Sequence, residues 1–298
     1  MLAALIEKPF DNKDWIYEIK FDGYRMISTI QNGNVEMASR NQISFSSKYP
    51  QLKNIMKKIK HNAVLDGEVV AVDSSGNPQF QLLQNYQKTG IGNIIYYVFD
   101  MLWIDGHNIE NLPLVERKKL LRKIIPETNE IQYSDHIFRD GKQLFEAAQE
   151  NKLEGIIAKK AESKYYENVR TKNWLKIKTH KRQEAIICGF TEPRGSRKFF
   201  GALILGVYEN KKLRYIGHTG TGFNEENLKS FHKIFNKYIQ VESPFEKKPK
   251  TNMPVIWMKP KLVCEIKFSN WTEDGNMRQP VFLGLREDKS PEEVVKET

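Results

Sequence analysis

Residues 18–25 read Glu18-Ile19-Lys20-Phe21-Asp22-Gly23-Tyr24-Arg25, and the fold turns on how they are understood. Trp15-Ile16-Tyr17 before them and Met26-Ile27-Ser28 after them have strand character, so Asp22-Gly23 marks the turn between two strands. Lys20 then stands alone at the end of an apolar run, with an acid and a glycine close behind and Arg25 closing the segment. A lysine held on such a scaffold is well placed to act as a nucleophile. Lys-x-Asp-Gly fixes only three positions, however, and a surface lysine beside a hairpin turn is the commoner explanation. The rest of the chain has to decide.

The chain has 298 residues, 40% apolar and 28% charged, which suits a globular protein of two ordinary domains. No run of apolar residues is long enough for a membrane helix, and residues 1–8 are too short and too soon charged for a signal peptide. Cys188 and Cys264 are the two cysteines, both in apolar segments. They exclude a disulfide framework and a four-cysteine zinc site, and point to a reducing, cytoplasmic setting. A formal charge of +10 suggests a polyanionic partner. Lys57-Lys58-Ile59-Lys60 and Arg117-Lys118-Lys119 fall at helical spacing beside apolar residues and read as ordinary amphipathic helix surfaces.

Strand-like runs at 35–38, 64–72, 94–104 and 155–159 alternate with helical spacing over 48–60, 114–125 and 140–151. Ser46-Ser47 and Asp140 are candidate N-caps for the first and third helices. This mixture predicts an α+β domain. After residues 178–182 the texture changes to short strands with glycine turns, at 185–190, 201–208, 212–217, 262–268 and 281–285. A helix over 225–239 interrupts them, a pattern that suits an OB-fold β barrel. The expected division is 1–181 and 182–298 across a short polar hinge, each part carrying about +5.

Four further segments bear chemistry. Leu65-Asp66-Gly67-Glu68 sets two acids on one face of an apolar strand; a structural ion pair is the alternative, ranked second because the acids share that face. Phe99, in Val98-Phe99-Asp100, is either core or a platform for a planar base. Leu153-Glu154-Gly155 opens with a glutamate suited to Mg2+, in a run that ends at Lys159. Trp174-Leu175-Lys176-Ile177-Lys178 places two lysines and a tryptophan on one strand face, where like charges repel unless an anion such as a polyphosphate lies between them.

Together with Ser39-Arg40-Asn41 and the distant run from Arg278-Gln279-Pro280 to Arg286-Glu287-Asp288-Lys289, these segments resemble the ordered motifs of the covalent nucleotidyltransferases. That superfamily contains DNA ligases, RNA ligases and mRNA capping enzymes. The likeness spans nearly the whole chain and is greatest to the ligase domain of bacterial end-joining ligase D proteins. It implies a nucleotidyltransferase (adenylation) domain followed by an OB-fold, and an ATP-dependent DNA ligase that seals nicks.

The resemblance also implies roles. Lys20, in its motif with Asp22, would attack the α-phosphate of ATP to form lysyl-AMP. Arg25 and Arg40 would lie on the ribose and phosphate side, Glu68 on the ribose hydroxyls and Phe99 on the adenine face. Glu18, with Ile19 beside it, would help position adenine. Arg170 falls where the family often has an arginine toward the nucleotide. Glu154, with Glu68, would hold Mg2+ or Mn2+, and Lys176 and Lys178 the phosphates. Arg286, Asp288 and Lys289 would orient the pyrophosphate leaving group. Arg194, Arg197 and Lys198, in loop 192–201, are candidates for DNA phosphate contact; a solvated loop is the equal alternative. The chemistry agrees: a lysine is protonated at neutral pH, and neighbouring cations and Mg2+ raise its reactive fraction.

Nicked duplex DNA is the implied substrate, end-joining proteins such as Ku the implied partners, and a monomer the expected state, with no membrane. An NAD-dependent ligase is disfavoured by the position of Lys20 near residue 1 and by the lack of four cysteines. An RNA ligase, a GTP-using capping enzyme and an inactive nick-binding module stand as alternatives.

Overall fold

The computed structural model describes residues 1–39, 41–126 and 128–297, so the expected Arg40 contact lies outside the described residues. The chain divides into two compact units, Met1–Thr179 and His180–Thr298.

The first unit runs β1 (Leu2–Leu5), β2 (Asn12–Lys20), β3 (Tyr24–Gln31), β4 (Asn34–Ser39), α1 (Pro50–Met56), β5 (Ala63–Val72), α2 (Phe80–Thr89) and β6 (Asn93–Ile104). It continues with β7 (His107–Asn108), α3 (Leu114–Ile124), β8 (Ile131–Tyr133), β9 (Ile137–Arg139), α4 (Gly141–Glu150), β10 (Gly155–Lys160) and β11 (Arg170–Lys178). These strands form two sheets. One has the order β1-β11-β10-β2-β9; the other is β4-β3-β5-β6-β7, with β8 added to β6.

Lys20 therefore does not sit beside a hairpin. β2 and β3 belong to different sheets, and Phe21-Asp22-Gly23 is the crossing between them. Gly23 is required by close approach: a Cβ there would lie 2.1 Å from the Val69 carbonyl oxygen and 3.1 Å from Glu68 Cγ. Phe21 stacks on Tyr97 of β6 with ring centroids 3.8 Å apart, which pins the crossing.

Alternation along β2 sends Tyr17 and Ile19 to the face covered by α4, where they pack with Ala148, Ile156 and Ile177. Glu18 and Lys20 point to the opposite face. The second sheet packs α1, α2 and α3 around Tyr24, Met26, Leu65, Val69, Tyr96 and Leu121. Two local features differ from the sequence reading. α1 starts at Pro50 after Tyr49, without a side-chain cap from Ser46 or Ser47, because proline supplies the preset φ of the first turn. α2, whose period is weakened by glutamines and an asparagine, was not anticipated.

The second unit contains β12 (Lys181–Thr191), β13 (Leu203–Glu209), β14 (Lys212–Thr219), α5 (Glu225–Phe235), β15 (Ile239–Gln240), β16 (Val255–Phe268), β17 (Asn270–Trp271), β18 (Met277–Arg278) and β19 (Val281–Leu285). Its main sheet has the order β14-β13-β12-β16-β15, and β19 also pairs with β16. α5 opens with a reciprocal capping box between Asn224 and Asn227. Phe190, Phe200, Phe235 and Phe282 lie at the centre of this unit. No helix among the described residues is long and apolar enough to cross a membrane.

Candidate active site

Three adjacent strands bring the candidate residues of the first unit together. In the β2–β10–β11 register, Gly155 lies opposite both Lys20 and Lys178. One row along, Ile157 lies opposite Glu18 and Lys176; in the next, Lys159 lies opposite Ile16 and Trp174. Directly paired residues share a face, so Lys20, Lys176, Lys178 and Trp174 line one surface with Glu18 and Lys159. Gly155 leaves the middle of the first row without a side chain. Its φ of 152° suits glycine, and a Cβ would meet the Ile177 carbonyl oxygen at 2.0 Å.

Lys20 Nζ donates to Glu154 Oε2 at 2.6 Å, with the lysine side chain 21% exposed and the glutamate 5%. The candidate nucleophile is thus open to a ligand and held by the carboxylate proposed for metal binding.

Glu18 is buried and fully engaged. Its Oε1 accepts from Lys118 Nζ at 2.7 Å; its Oε2 accepts from Lys159 Nζ at 2.8 Å and from Ser134 Oγ at 3.1 Å. Burial alone would raise this carboxyl, but the two ammonium groups outweigh it and hold it below the ordinary carboxylate range. Burial lowers Lys159 to about 8 despite the opposing pull of Glu18. Lys159 Nζ also lies 4.3 Å from the ring centroids of both Phe99 and Trp174.

Sequence reasoning missed Lys118 and Ser134, and gave Lys159 no role. Arg117 and Lys118, expected on a helix surface, are both buried. The signal was present: Leu114, Arg117, Lys118 and Leu121 have the spacing of one helix face, and that face is inward.

Asp66 and Asp100 lie opposite one another on β5 and β6, each neutralised by its own arginine. Arg25 Nε and Nη2 donate to Asp66 at 2.9 and 2.6 Å, and Arg117 Nε and Nη2 donate to Asp100 at 2.8 Å each. For Asp66 the ion-pair alternative is therefore what the structure shows. Arg25, expected on the ribose side, also donates to the Met1 carbonyl oxygen and to the Tyr165 hydroxyl. Glu68 stands opposite Arg25 and Tyr97 and is half-buried. The bulge in β6 that leaves Phe99 out of register turns its ring toward Trp174, at 5.9 Å between centroids.

Other expected residues are less closely gathered. The Ile19 side chain is core under α4, because it alternates away from Lys20. Asp22 is half-buried in the crossing. Arg170 is exposed at the far end of β11 from Lys178 and donates to the Ala3 carbonyl oxygen at 2.6 Å.

In the second unit, Arg286 Nε and Nη2 donate to Asp288 at 2.9 and 2.8 Å, and Lys289 Nζ lies 3.0 Å from Glu184 Oε1. Burial opposes the Asp288 charge, but Arg286 prevails and holds its carboxyl below the ordinary range. Arg194 and Lys198 are exposed. Arg197 is half-buried and donates to the carbonyl oxygens of Phe200 and Gly220 at 2.8 and 2.7 Å. Aromatic rings beside it, Phe200 and Phe223, make that position favourable.

A family model described as the ATP dependent DNA ligase domain matches residues 1–178, and one described as the ATP dependent DNA ligase C terminal region matches residues 196–289. The multifunctional non-homologous end joining protein LigD of Pseudomonas aeruginosa is 37% identical over 305 residues, covering 99% of this chain and 36% of that protein. The SPbeta prophage-derived DNA ligase-like protein LigB of Bacillus subtilis is 31% identical over 288 residues, covering 96% of this chain and 98% of that protein. The solved structure of mycobacterial DNA ligase D complexed with ATP and MES is 31% identical with a TM-score of 0.71, covering 99% of this chain and 98% of that one. With an α+β nucleotidyltransferase fold followed by an OB-fold, the chain belongs to the ATP-dependent DNA ligase family.

Proposed function

We propose that this chain seals nicks between a 5′-phosphate and a 3′-hydroxyl in duplex DNA, using ATP and a covalent AMP on Lys20. The observation that carries the reading is the row Lys20–Gly155–Lys178, with Lys176 in the next row and Glu154 on the Lys20 amine. A nucleophile, a side-chain gap and two phosphate-binding cations on one sheet face are what phosphoryl transfer asks of a protein, namely positioning and charge neutralisation.

In the first step the neutral Lys20 amine attacks the α-phosphate of ATP; the P–N bond forms as the bond to pyrophosphate breaks. Glu154 Oε2 is within reach of the proton that Lys20 must lose. Lys176 and Lys178 hold phosphate oxygens, Phe99 the adenine face and Glu68 the ribose hydroxyls. Arg286, Asp288 and Lys289 serve this step through pyrophosphate. In the second step AMP passes to the 5′-phosphate of the nick, freeing Lys20. In the third the 3′-hydroxyl attacks that phosphate and AMP leaves. Exposed Arg194 and Lys198 contact DNA phosphates, with binding that weakens as salt rises.

Glu154, beside the Lys20 amine, and Glu68 are the carboxylates that would hold Mg2+ or Mn2+. Among the described residues no three or more His, Cys, Asp or Glu side chains gather into a metal cage. One or two carboxylates together with substrate phosphates is the usual Mg2+ arrangement, and the ion would supply charge neutralisation on the phosphates. The likeness to proteins named for non-homologous end joining supports a role in double-strand end joining, with partners such as Ku. The chain spans 36% of the length of the Pseudomonas relative. Free, buried Cys188 and Cys264 support a reducing, cytoplasmic setting.

The test is label transfer from ATP and from GTP, analysed on a denaturing gel. Transfer from ATP that is abolished by Lys20→Ala, with DNA binding retained, is expected. Transfer from GTP alone, or none with either metal ion, sinks the reading. Nicked, cohesive-ended and blunt-ended duplexes compared side by side then separate nick sealing from end joining.

A further inference from the structure

Glu184 of β12 and Glu265 of β16 lie directly opposite one another in the sheet. Like charges so placed repel, and both side chains are largely buried, at 20% and 6% exposure. The arrangement persists because the cations of the last motif lie against it. Lys289 Nζ is 3.0 Å from Glu184 Oε1, and Arg286 Nη1 is 3.5 Å from Glu265 Oε2. Burial would raise the Glu184 carboxyl; Lys289 and Arg286 outweigh it and keep it ionised.

The neighbouring Gln183 faces the other side of β12 and is 1% exposed. Its amide donates to the Val295 carbonyl oxygen at 3.0 Å, and its carbonyl accepts from Glu297 N at 2.9 Å. Tyr208 N also donates to the Val294 carbonyl oxygen at 2.8 Å. Consecutive residues of β12 thus hold the stretch 286–297 at two points, Glu184 at the lysine and Gln183 beyond it.

We propose that Glu184 is a positioning residue for Lys289, fixing its ammonium for the pyrophosphate leaving group. Lysine is a point charge on a flexible stem, so its value to a phosphate depends on a partner that limits its rotamers. This inference rests on the ligase reading above, in which Lys289 acts in adenylylation. It adds a residue that the motif does not contain and that the sequence did not single out.

The experiment compares the full chain with Glu184→Gln, Glu184→Asp, Lys289→Gln and the Glu184→Gln/Lys289→Gln pair. Formation of lysyl-AMP, its reversal by pyrophosphate, sealing of a pre-adenylylated nick and thermal unfolding are measured. Loss of one charge-assisted contact should raise the KM for pyrophosphate about tenfold in Glu184→Gln. Sealing should remain within about twofold of the unmutated protein, Glu184→Asp should restore most of the loss, and Glu184→Gln should add nothing to Lys289→Gln. An unchanged pyrophosphate KM, an equal fall in sealing, or an additive double variant overturns the proposal. If Glu184→Gln unfolds, Glu184→Ala, which also leaves Lys289 without its carboxylate, decides by the same pyrophosphate KM, which must rise without a matching loss of sealing. Absence of lysyl-AMP from the unmutated protein sinks the ligase reading itself, a distinct outcome.

Discussion

Lys118 Nζ on α3 donates to Glu18 Oε1 on β2 at 2.7 Å, joining two buried residues 100 positions apart. Glu18 stands two residues before Lys20 on the same face of the same strand. The pair therefore ties the helix to the strand that carries the candidate nucleophile. Lys159 and Ser134 complete the shell around the carboxylate.

Lys118→Met leaves Glu18 buried with one ammonium instead of two. Breaking a buried pair by removing one partner costs about 3–5 kcal/mol, and the remaining Lys159 places this case near the lower end. Urea unfolding should show a loss of about 3 kcal/mol, while Lys118→Arg, which keeps the charge, should lose less. Equal stability of Lys118→Met and the unmutated protein would remove the pair from any account of this fold.

Gly155→Ala places a methyl group against the Ile177 carbonyl oxygen at 2.0 Å, in the strand that must stay aligned with Lys20 and Lys178. Strain of this kind costs on the order of 1–3 kcal/mol. The expected outcome is a lowered melting temperature together with a larger loss of lysyl-AMP formation than any fall in DNA binding. Normal label transfer by the variant would show that the gap in the row is dispensable.

Asp288→Ala removes the carboxylate that fixes the Arg286 guanidinium through two hydrogen bonds. Adenylylation from ATP should fall by about tenfold or more, the cost of freeing a charged, bidentate contact. Sealing of a pre-adenylylated nick should be spared, because no pyrophosphate leaves in that step. A matched fall in both assays contradicts the assignment of this motif to the first step.

His136 is lowered from 6.5 to about 4, first by burial and then by the nearby Lys118 charge. A folded-state pKa below the unfolded one means that the unfolded chain binds the extra proton between those values. Stability from this group is therefore full above about pH 6.5 and falls as the pH drops toward about 4. Denaturant midpoints at pH 7 and pH 4.5 should differ less for His136→Gln than for the unmutated protein. The same difference in both would assign the acid sensitivity elsewhere.

Period-two alternation is a local property of an extended chain, so the sequence alone determined that Glu18 shares a face with Lys20, and Trp174 with Lys176 and Lys178. It also determined the α+β character of the first part and the strand-rich character of the second. Which strands meet, and in which register, depends on pairings between residues far apart in the chain. Tertiary structure therefore decided that Gly155 separates Lys20 from Lys178, and that Phe21-Asp22-Gly23 joins two sheets instead of closing a hairpin. It also decided the fate of individual charges. Arg117 and Lys118 turned inward because buried carboxylates await them there. A charged residue ordinarily belongs in water, and only a partner supplied by a distant segment reverses that preference.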